Sequence, residues 1–275
     1  MKYEIDIELY KKLCDAENRE VELKKYSDYF LLYNFSSARK NLYDWFEFDE
    51  TASLLEIGSE CGCLTEFFAK RVKSVTALEI DKAKIEINRY RNKKNKNVKV
   101  LTYNRFSFEK AGKFKYIVLT GTLEDMSQYS KDGKISDEEL LKSLKNLLTE
   151  DGVIFLATNN KLALSSFAGV ADPVQGRVFA SLEGLGSPYT KDRLMKLFMD
   201  TGLSRLDTYY PMPDYRLPSV LYSDEYLPLP GDYRVDNVSF SVDSVKIFDE
   251  TSVADELLKD RLFPEFANSF LFLLR

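Results

Sequence analysis

Five acids, Glu56, Glu60, Glu66, Glu79 and Asp81, surround a loop of small residues that runs from Gly58 through Ser59 to Gly62. The loop follows an apolar run (Leu54, Leu55) and leads into a helical pattern. A second apolar run begins at Ser74 and carries Glu79 near its end, at the spacing of a βαβ unit. In an open α/β sheet, small residues there let the backbone approach a nucleoside ligand. A carboxylate after the next strand takes the ribose hydroxyls. Gly58, Ser59 and Gly62 are therefore candidate backbone contacts. Glu79 is the candidate bidentate acceptor for the ribose diol, with Ile80 beside it.

The charge around this loop separates two cofactors. A dinucleotide places its pyrophosphate on the helix N-terminus, where Glu60 would face two negative groups. That repulsion costs on the order of a kcal/mol or more at an effective dielectric near 20. S-adenosylmethionine has no phosphate and carries a sulfonium and an ammonium. Glu56, two residues before the first glycine, is placed to hold the ammonium. The reading favours S-adenosylmethionine over NAD.

Glu-x-Gly-x-x-x-Gly after one strand, with Glu79 after the next, resembles motif I and the acidic loop of class I SAM-dependent methyltransferases. Further segments resemble methyltransferases of bacterial polysaccharide and lipopolysaccharide biosynthesis, which are often associated with glycosyltransferases. These are Asn159 to Leu164 with Phe167-Ala168-Gly169, Leu182-Glu183-Gly184, Tyr210 to Ser219, Tyr222 to Tyr226, and Phe266 to Phe270. The resemblance implies a Rossmann-like sheet with helices on both faces and an antiparallel last strand inserted between strands five and six. It places Asn104 beside the adenine amino group and Thr120 and Gly121 near the methyl group. Arg105 either flanks the ring or forms an exposed salt bridge. One position departs: where the family has glycine this chain has Glu60, which costs roughly 1–2 kcal/mol if the backbone there is left-handed.

The chain has 275 residues, no histidine, and a net charge of −5. The commonest general base is thus missing, so deprotonation of an acceptor hydroxyl falls to an acid. Glu183, in a segment like the polysaccharide enzymes, ranks first, with Asp172, Asp214 and Glu124 behind it. Cys14, Cys61 and Cys63 are too few for a disulfide framework, which suits a reducing cytoplasm, and without histidine they cannot complete a zinc site, so no metal is expected. The negative charge argues against nucleic acid, and the basic stretch from Lys82 to Lys99 reads as a solvated helix end. No apolar run approaches the length of a membrane span.

The elements that must position these residues are legible as patterns. Strands are expected at Ser53 to Ile57, Val75 to Ile80, Val98 to Thr102, Tyr116 to Leu119, Val153 to Ala157 and near Leu206 to Tyr210, with a last one at Phe270 to Leu274. Glu150-Asp151-Gly152 reads as a turn. Asp81, Ser136 (with Glu139, a capping box) and Thr190 are helix caps. Residues 1–48 read as a helical segment that either caps the cofactor cleft or packs on the sheet edge, and 49–275 as the SAM-dependent methyltransferase domain. Stretches at about 160–188 and 211–236 are long for plain connections and would emerge at the strand ends where substrates bind.

Taken together these features imply a cytoplasmic, bacterial methyltransferase acting on a sugar hydroxyl of a surface polysaccharide or lipopolysaccharide precursor, with a glycosyltransferase as a possible partner. The alternative is a non-catalytic module of the same fold that engages a glycosyltransferase. A dinucleotide-dependent sugar oxidoreductase is third, disfavoured by the acidic loop and the lack of a suitably placed Tyr-x-x-x-Lys pair.

Overall fold

The computed structural model describes residues 5–106, 108, 110–125, 136–172, 176–185, 189–234 and 245–275. The side chains of Arg105, Glu124 and Asp125, and the outer ends of both long stretches (Pro188, Asp236), lie outside that description. Eight strands form one sheet in the order β3-β2-β1-β4-β5-β8-β6-β7. They are β1 (Ser53–Ile57), β2 (Ser74–Glu79), β3 (Val98–Thr102), β4 (Phe114–Thr120), β5 (Leu148–Asn159), β6 (Arg205–Met212), β7 (Val220–Ser223) and β8 (Ser269–Leu274). The first five pair in parallel. β8 runs antiparallel to both β5 and β6, as expected for the Rossmann-like class I methyltransferase sheet.

Two expectations need correction. The Glu150-Asp151-Gly152 turn lies inside β5 rather than before it, with Gly152 folded back onto the Thr149 backbone. β5 already begins at Leu148, which pairs with Phe114, and a register shift between Phe114 and Tyr116 absorbs the irregular stretch. β7 was hidden in the Pro- and Tyr-rich stretch; it pairs antiparallel with β6 from Met212↔Val220 to Tyr209↔Ser223.

Before the sheet come α1 (Ile7–Asp15), α2 (Arg19–Leu23), α3 (Tyr29–Phe35) and a 3-10 turn, Ser37–Leu42. Asp6, Asn18 and Asp28 cap the three helices through backbone N–H groups, satisfying donors that a helix start leaves open. α4 (Cys63–Phe68) and α5 (Lys82–Arg91) follow β1 and β2. After β4, α6 (Asp137–Lys145) starts on the expected Ser136–Glu139 capping box. Its buried Leu140, Leu141 and Leu144 join the larger apolar core. α7 (Leu164–Phe167) follows β5, and α8 (Lys191–Thr201) is capped by Thr190 and closed by the left-handed Gly202. α9 (Glu250–Lys259) and α10 (Phe263–Phe266) precede β8.

The other core is aromatic: Phe46, Phe48 and Tyr43 stand with ring centroids 4.9, 5.7 and 5.8 Å from Phe155 on β5. They fix the segment before β1 to the sheet. The N-terminal helices pack as a third cluster, Tyr10, Leu13, Leu31 and Phe35 against Cys61 and Ile87. They therefore sit on the small-residue loop and on α5.

One acid bolts this layer down. Glu66 Oε2 accepts from Arg91 Nε (2.8 Å) and Arg19 Nη1 (2.7 Å), and Arg91 Nη1 also donates to the Asn34 carbonyl at 2.7 Å. Burial pushes Glu66 up, but the two arginines outweigh it and hold it at about 2. Removing one member of such a buried pair costs about 3–5 kcal/mol because the other charge is left stranded. Arg91→Ala should lower unfolding free energy by about that much in urea titrations; a loss under about 1 kcal/mol would show that the network is dispensable.

Candidate cofactor and acceptor site

β1 and β4 are neighbours whose connections leave in opposite directions along the sheet, one to β2 and the other to β5. This is the topological switch point, where open α/β sheets bind ligands outside the carboxyl ends of their strands. The loop after β1 and the Thr120-Gly121 pair after β4 both open there.

The loop is held by hydrogen bonds from three directions. Gly58 and Ser59 donate their N–H groups to the Leu78 carbonyl of β2 at 2.9 and 3.0 Å. From α5, Asn88 Nδ2 donates to Ser59 Oγ at 3.0 Å and to Thr65 Oγ1 at 3.1 Å. Gly62 is left-handed (φ 80°), and a Cβ there would lie 2.5 Å from the Asn88 oxygen. Only glycine fits beneath that asparagine.

Glu79 is 1% exposed at the end of β2. Its Oε2 accepts from Glu60 N–H at 2.9 Å, and its Oε1 from Ile80 N–H (2.8 Å) and Asp81 N–H (3.1 Å). A carboxylate has about four acceptor positions, so one remains for a hydroxyl on Oε2. Bonding both hydroxyls of a ribose requires one backbone donor to yield. Burial first, then the Glu60 carboxylate, push the Glu79 pKa up.

Glu60 has φ 48°, the left-handed conformation anticipated for it. Its side chain turns to Lys84 on α5, with Nζ and Oε2 2.6 Å apart. The lysine offsets the repulsion between two neighbouring carboxylates. Glu56 is buried, and Thr65 Oγ1 donates to its Oε2 at 2.6 Å. Burial pushes its pKa up to about 8, against that hydrogen bond and the field of Arg39.

Arg39 is the residue that sequence reasoning missed. It is 1% exposed, on the 3-10 turn, in the field of Glu56 and Glu60. Its Nη2 donates to the Tyr33 hydroxyl (2.8 Å), and its guanidinium lies 3.8 Å from the Tyr33 ring centroid. Its Nε and Nη1 are buried without a partner among the described residues. A buried guanidinium with two unmet donors matches a carboxylate ligand. Nothing in the local sequence Ser37-Ala38-Arg39-Lys40 signals this; only the packing of the turn onto the loop does.

Across the crevice, Thr120 Oγ1 and the Tyr43 hydroxyl are 2.7 Å apart. Gly121 (φ 75°) faces Tyr215, whose hydroxyl occupies the place a Cβ would take. Arg216 Nη1 donates to Asn159 Oδ1 at 2.9 Å and to Asp214 Oδ2 at 3.2 Å. Asn104 is exposed on the short turn Tyr103–Arg105 after β3, and Ile80 packs against the core beside Glu79.

The leading base candidates, Glu183 and Asp172, lie in the stretch after β5. Glu183 is exposed and ion-paired with Arg177 at 2.5 Å. Asp172 belongs to the same folded-back stretch, its N–H donating to the Arg177 carbonyl at 3.0 Å. Among the described residues, no group of three His, Cys, Asp or Glu is placed to hold a metal ion.

A family model described as a methyltransferase domain matches residues 17–207. Among solved structures, a SAM dependent methyltransferase from Archaeoglobus fulgidus superposes with a TM-score of 0.52 at 13% identity, covering 90% of this chain and 99% of that one. An S-adenosylmethionine dependent methyltransferase from Mesorhizobium loti gives 0.50 at 11% identity, covering 87% and 98%. At such identities the likeness is one of fold. No curated protein matches the chain.

Two substitutions test the electrostatics. Because folding raises the Glu56 pKa from 4.5 to about 8, its contribution to stability is fullest below 4.5 and is lost as pH rises through 8. The slope is up to about 1.4 kcal/mol per pH unit. Glu56→Gln keeps the shape without the charge. Its urea midpoint should gain on the wild type steadily from pH 5 to 8, and a pH-independent difference would remove Glu56 from the account.

Glu60→Gly relieves a left-handed penalty of roughly 1–2 kcal/mol and loses a partly exposed ion pair worth at most about 1 kcal/mol. A modest net gain in stability is expected, with Glu79 titrating closer to the usual carboxylate range in carboxyl NMR. A clear loss of stability would mean that Lys84 needs Glu60 more than the backbone resents it.

Proposed function

This chain belongs to the methyltransferase-domain family, and we propose that it moves a methyl group from its cofactor to a sugar hydroxyl in the assembly of a bacterial surface polysaccharide or lipopolysaccharide. The cofactor is S-adenosylmethionine, and the residues present fit it. The observation that carries the reading is Arg39: its buried Nε and Nη1, without a partner among the described residues, suit the methionine carboxylate. Glu56 suits the ammonium, giving up its proton to do so. Glu79 suits the ribose, Ile80 and Asn104 the adenine edge, and Thr120 and Gly121 the methyl end, with Arg105 assigned to the ring on the resemblance alone.

When bound, the cofactor supplies an activated methyl group on a sulfonium. The protein's part is to hold an acceptor oxygen in line with it, since positioning alone can account for much of such a rate. The hydroxyl proton passes to a carboxylate acting as general base. Asp214 is the one that contacts link to the crevice through Arg216; Glu183 and Asp172 are proposed on the resemblance. A glycosyltransferase is the proposed partner. The cytoplasm is the proposed compartment, in keeping with three free cysteines. Among the described residues, no helix is long and apolar enough to cross a membrane.

Calorimetry with S-adenosylhomocysteine tests the assignment. The ligand should bind and raise the melting temperature by mass action, whereas NAD should do neither. Arg39→Met should weaken binding of S-adenosylhomocysteine at least tenfold while leaving adenosine, which has no carboxylate, within about twofold. Glu79→Ala should weaken both ligands at least tenfold, as expected for loss of a charge-assisted acceptor worth roughly 1.5–3 kcal/mol. Equal losses on both ligands for Arg39→Met would place the carboxylate elsewhere.

A further inference from the structure

The hydrogen bonding of the buried acid Glu56 is decided on two neighbouring helices. Asn92, at the end of α5, sends its Nδ2 to the carbonyls of Gly62 and Asn88 at 3.4 and 3.2 Å and to Asn88 Oδ1 at 2.9 Å. Backbone carbonyls only accept, so this face of Asn92 is its amino group and the Asn88 atom opposite is the oxygen. The amino group of Asn88 is thereby turned the other way. Both of its protons are used, on Ser59 Oγ (3.0 Å) and on Thr65 Oγ1 (3.1 Å). Thr65 on α4 accepts from Asn88 and has one proton to give, which goes to Glu56 Oε2 at 2.6 Å. Asn88 and Thr65 are fully buried, so bulk water does not compete for these bonds.

We infer that Asn88 and Thr65 are positioning residues for the cofactor's ammonium: a one-way chain of donors, set by backbone carbonyls at the end of α5, ends on Glu56 and holds its carboxylate ready as an anion. The inference rests on the assignment of Glu56 to the ammonium and adds the residues that prepare it. A chain that only donates stabilises a carboxylate at its end over a neutral acid. In a buried setting each bond polarises the next.

Burial works against this chain and leaves the Glu56 carboxyl at about 8. Holding an ammonium therefore expels a proton at neutral pH, and the strength of the chain sets how unfavourable that is. Arg39 on the 3-10 turn shares the field of Glu56 and favours the anion, whereas Glu79 on β2 and Glu60 in the loop oppose it. The Tyr43 hydroxyl, next to the turn, lies in that field too. The strand neighbours Ala77 and Val118 are uncharged, and Lys84 on α5 is bound to Glu60. Removing the Thr65 hydroxyl alone leaves all of these in place.

The test is the pH dependence of S-adenosylhomocysteine affinity in the full chain, measured by calorimetry. Wild-type affinity should rise with pH up to about 8, as Glu56 loses its proton. Thr65→Val keeps the shape without the donor. It should move the Glu56 midpoint up by about one unit in carboxyl NMR of the ligand-free protein, and weaken S-adenosylhomocysteine about tenfold at about pH 7. The deficit should shrink as pH rises above about 8, and loss of the ligand's own ammonium proton, common to both proteins, cancels in the ratio. Thr65→Ser restores the donor and should lie within about twofold of the wild type. Adenosine, which has no ammonium, should bind Thr65→Val within about twofold of the wild type throughout, and in a Glu56→Gln background Thr65→Val should add less than about twofold. A deficit that is constant with pH, or shared equally by adenosine, makes Thr65 a structural support of the loop and overturns the inference, as does an unmoved Glu56 midpoint. Wild-type affinity that does not vary with pH takes Glu56 off the ammonium and the inference with it, leaving the cofactor unchanged. Failure of the wild type to bind S-adenosylhomocysteine removes the transferase reading itself.

Discussion

The buried carboxylate of Glu79 is the constraint around which the crevice is arranged. It takes the N–H groups of Glu60, Ile80 and Asp81, so it joins the loop after β1 to the chain leaving β2. Burying an acid among backbone donors satisfies it only in part, because a second acid, Glu60, stands beside it. Lys84 supplies the compensating charge. A residue type that the left-handed position disfavours is thereby retained, with its side chain tied down on α5. The strain of roughly 1–2 kcal/mol and the ion pair that opposes it belong to one local arrangement.

The second organising feature is the N-terminal layer. Its apolar residues close on Cys61 and Ile87, and its polar ties run through the Glu66–Arg91–Arg19 network. This layer delivers Arg39 to the field of Glu56 and Glu60 at the glycine loop, with Tyr33 stacked on it. Damage to the Glu66 network should therefore be felt at the glycine loop.

Segments that look like a substrate signature can also be structural. Asn160 Nδ2 donates to the carbonyls of Glu265 and Ala267 at 2.7 and 2.8 Å, and Asn268 Oδ1 accepts from Ser165 N–H at 2.9 Å. These two asparagines stitch the stretch after β5 to the approach to β8.

The antiparallel last strand came from the family resemblance, while the sequence by itself determined the positions of seven strands, the glycine loop, and the caps at Asp81, Ser136 and Thr190. Each of these is local: a run of apolar residues, a capping side chain, or a motif within one βαβ unit. Tertiary structure alone decided that Arg39 lies buried with unmet donors, that Tyr215 stands on Gly121, and that Glu183 faces Arg177 on the surface. It also decided that Glu79 spends three of its acceptor positions on backbone N–H groups, one in the loop after β1 and two at the end of its own strand. Glu60 and Glu79 lie 19 positions apart and Gly121 and Tyr215 much further, and no pattern along a single chain specifies which side chains will meet when separate elements close on one another. The β7 strand fell between the two cases: its residues were in view, but a proline-rich stretch reads as loop until the edge of a finished sheet is there to pair with it.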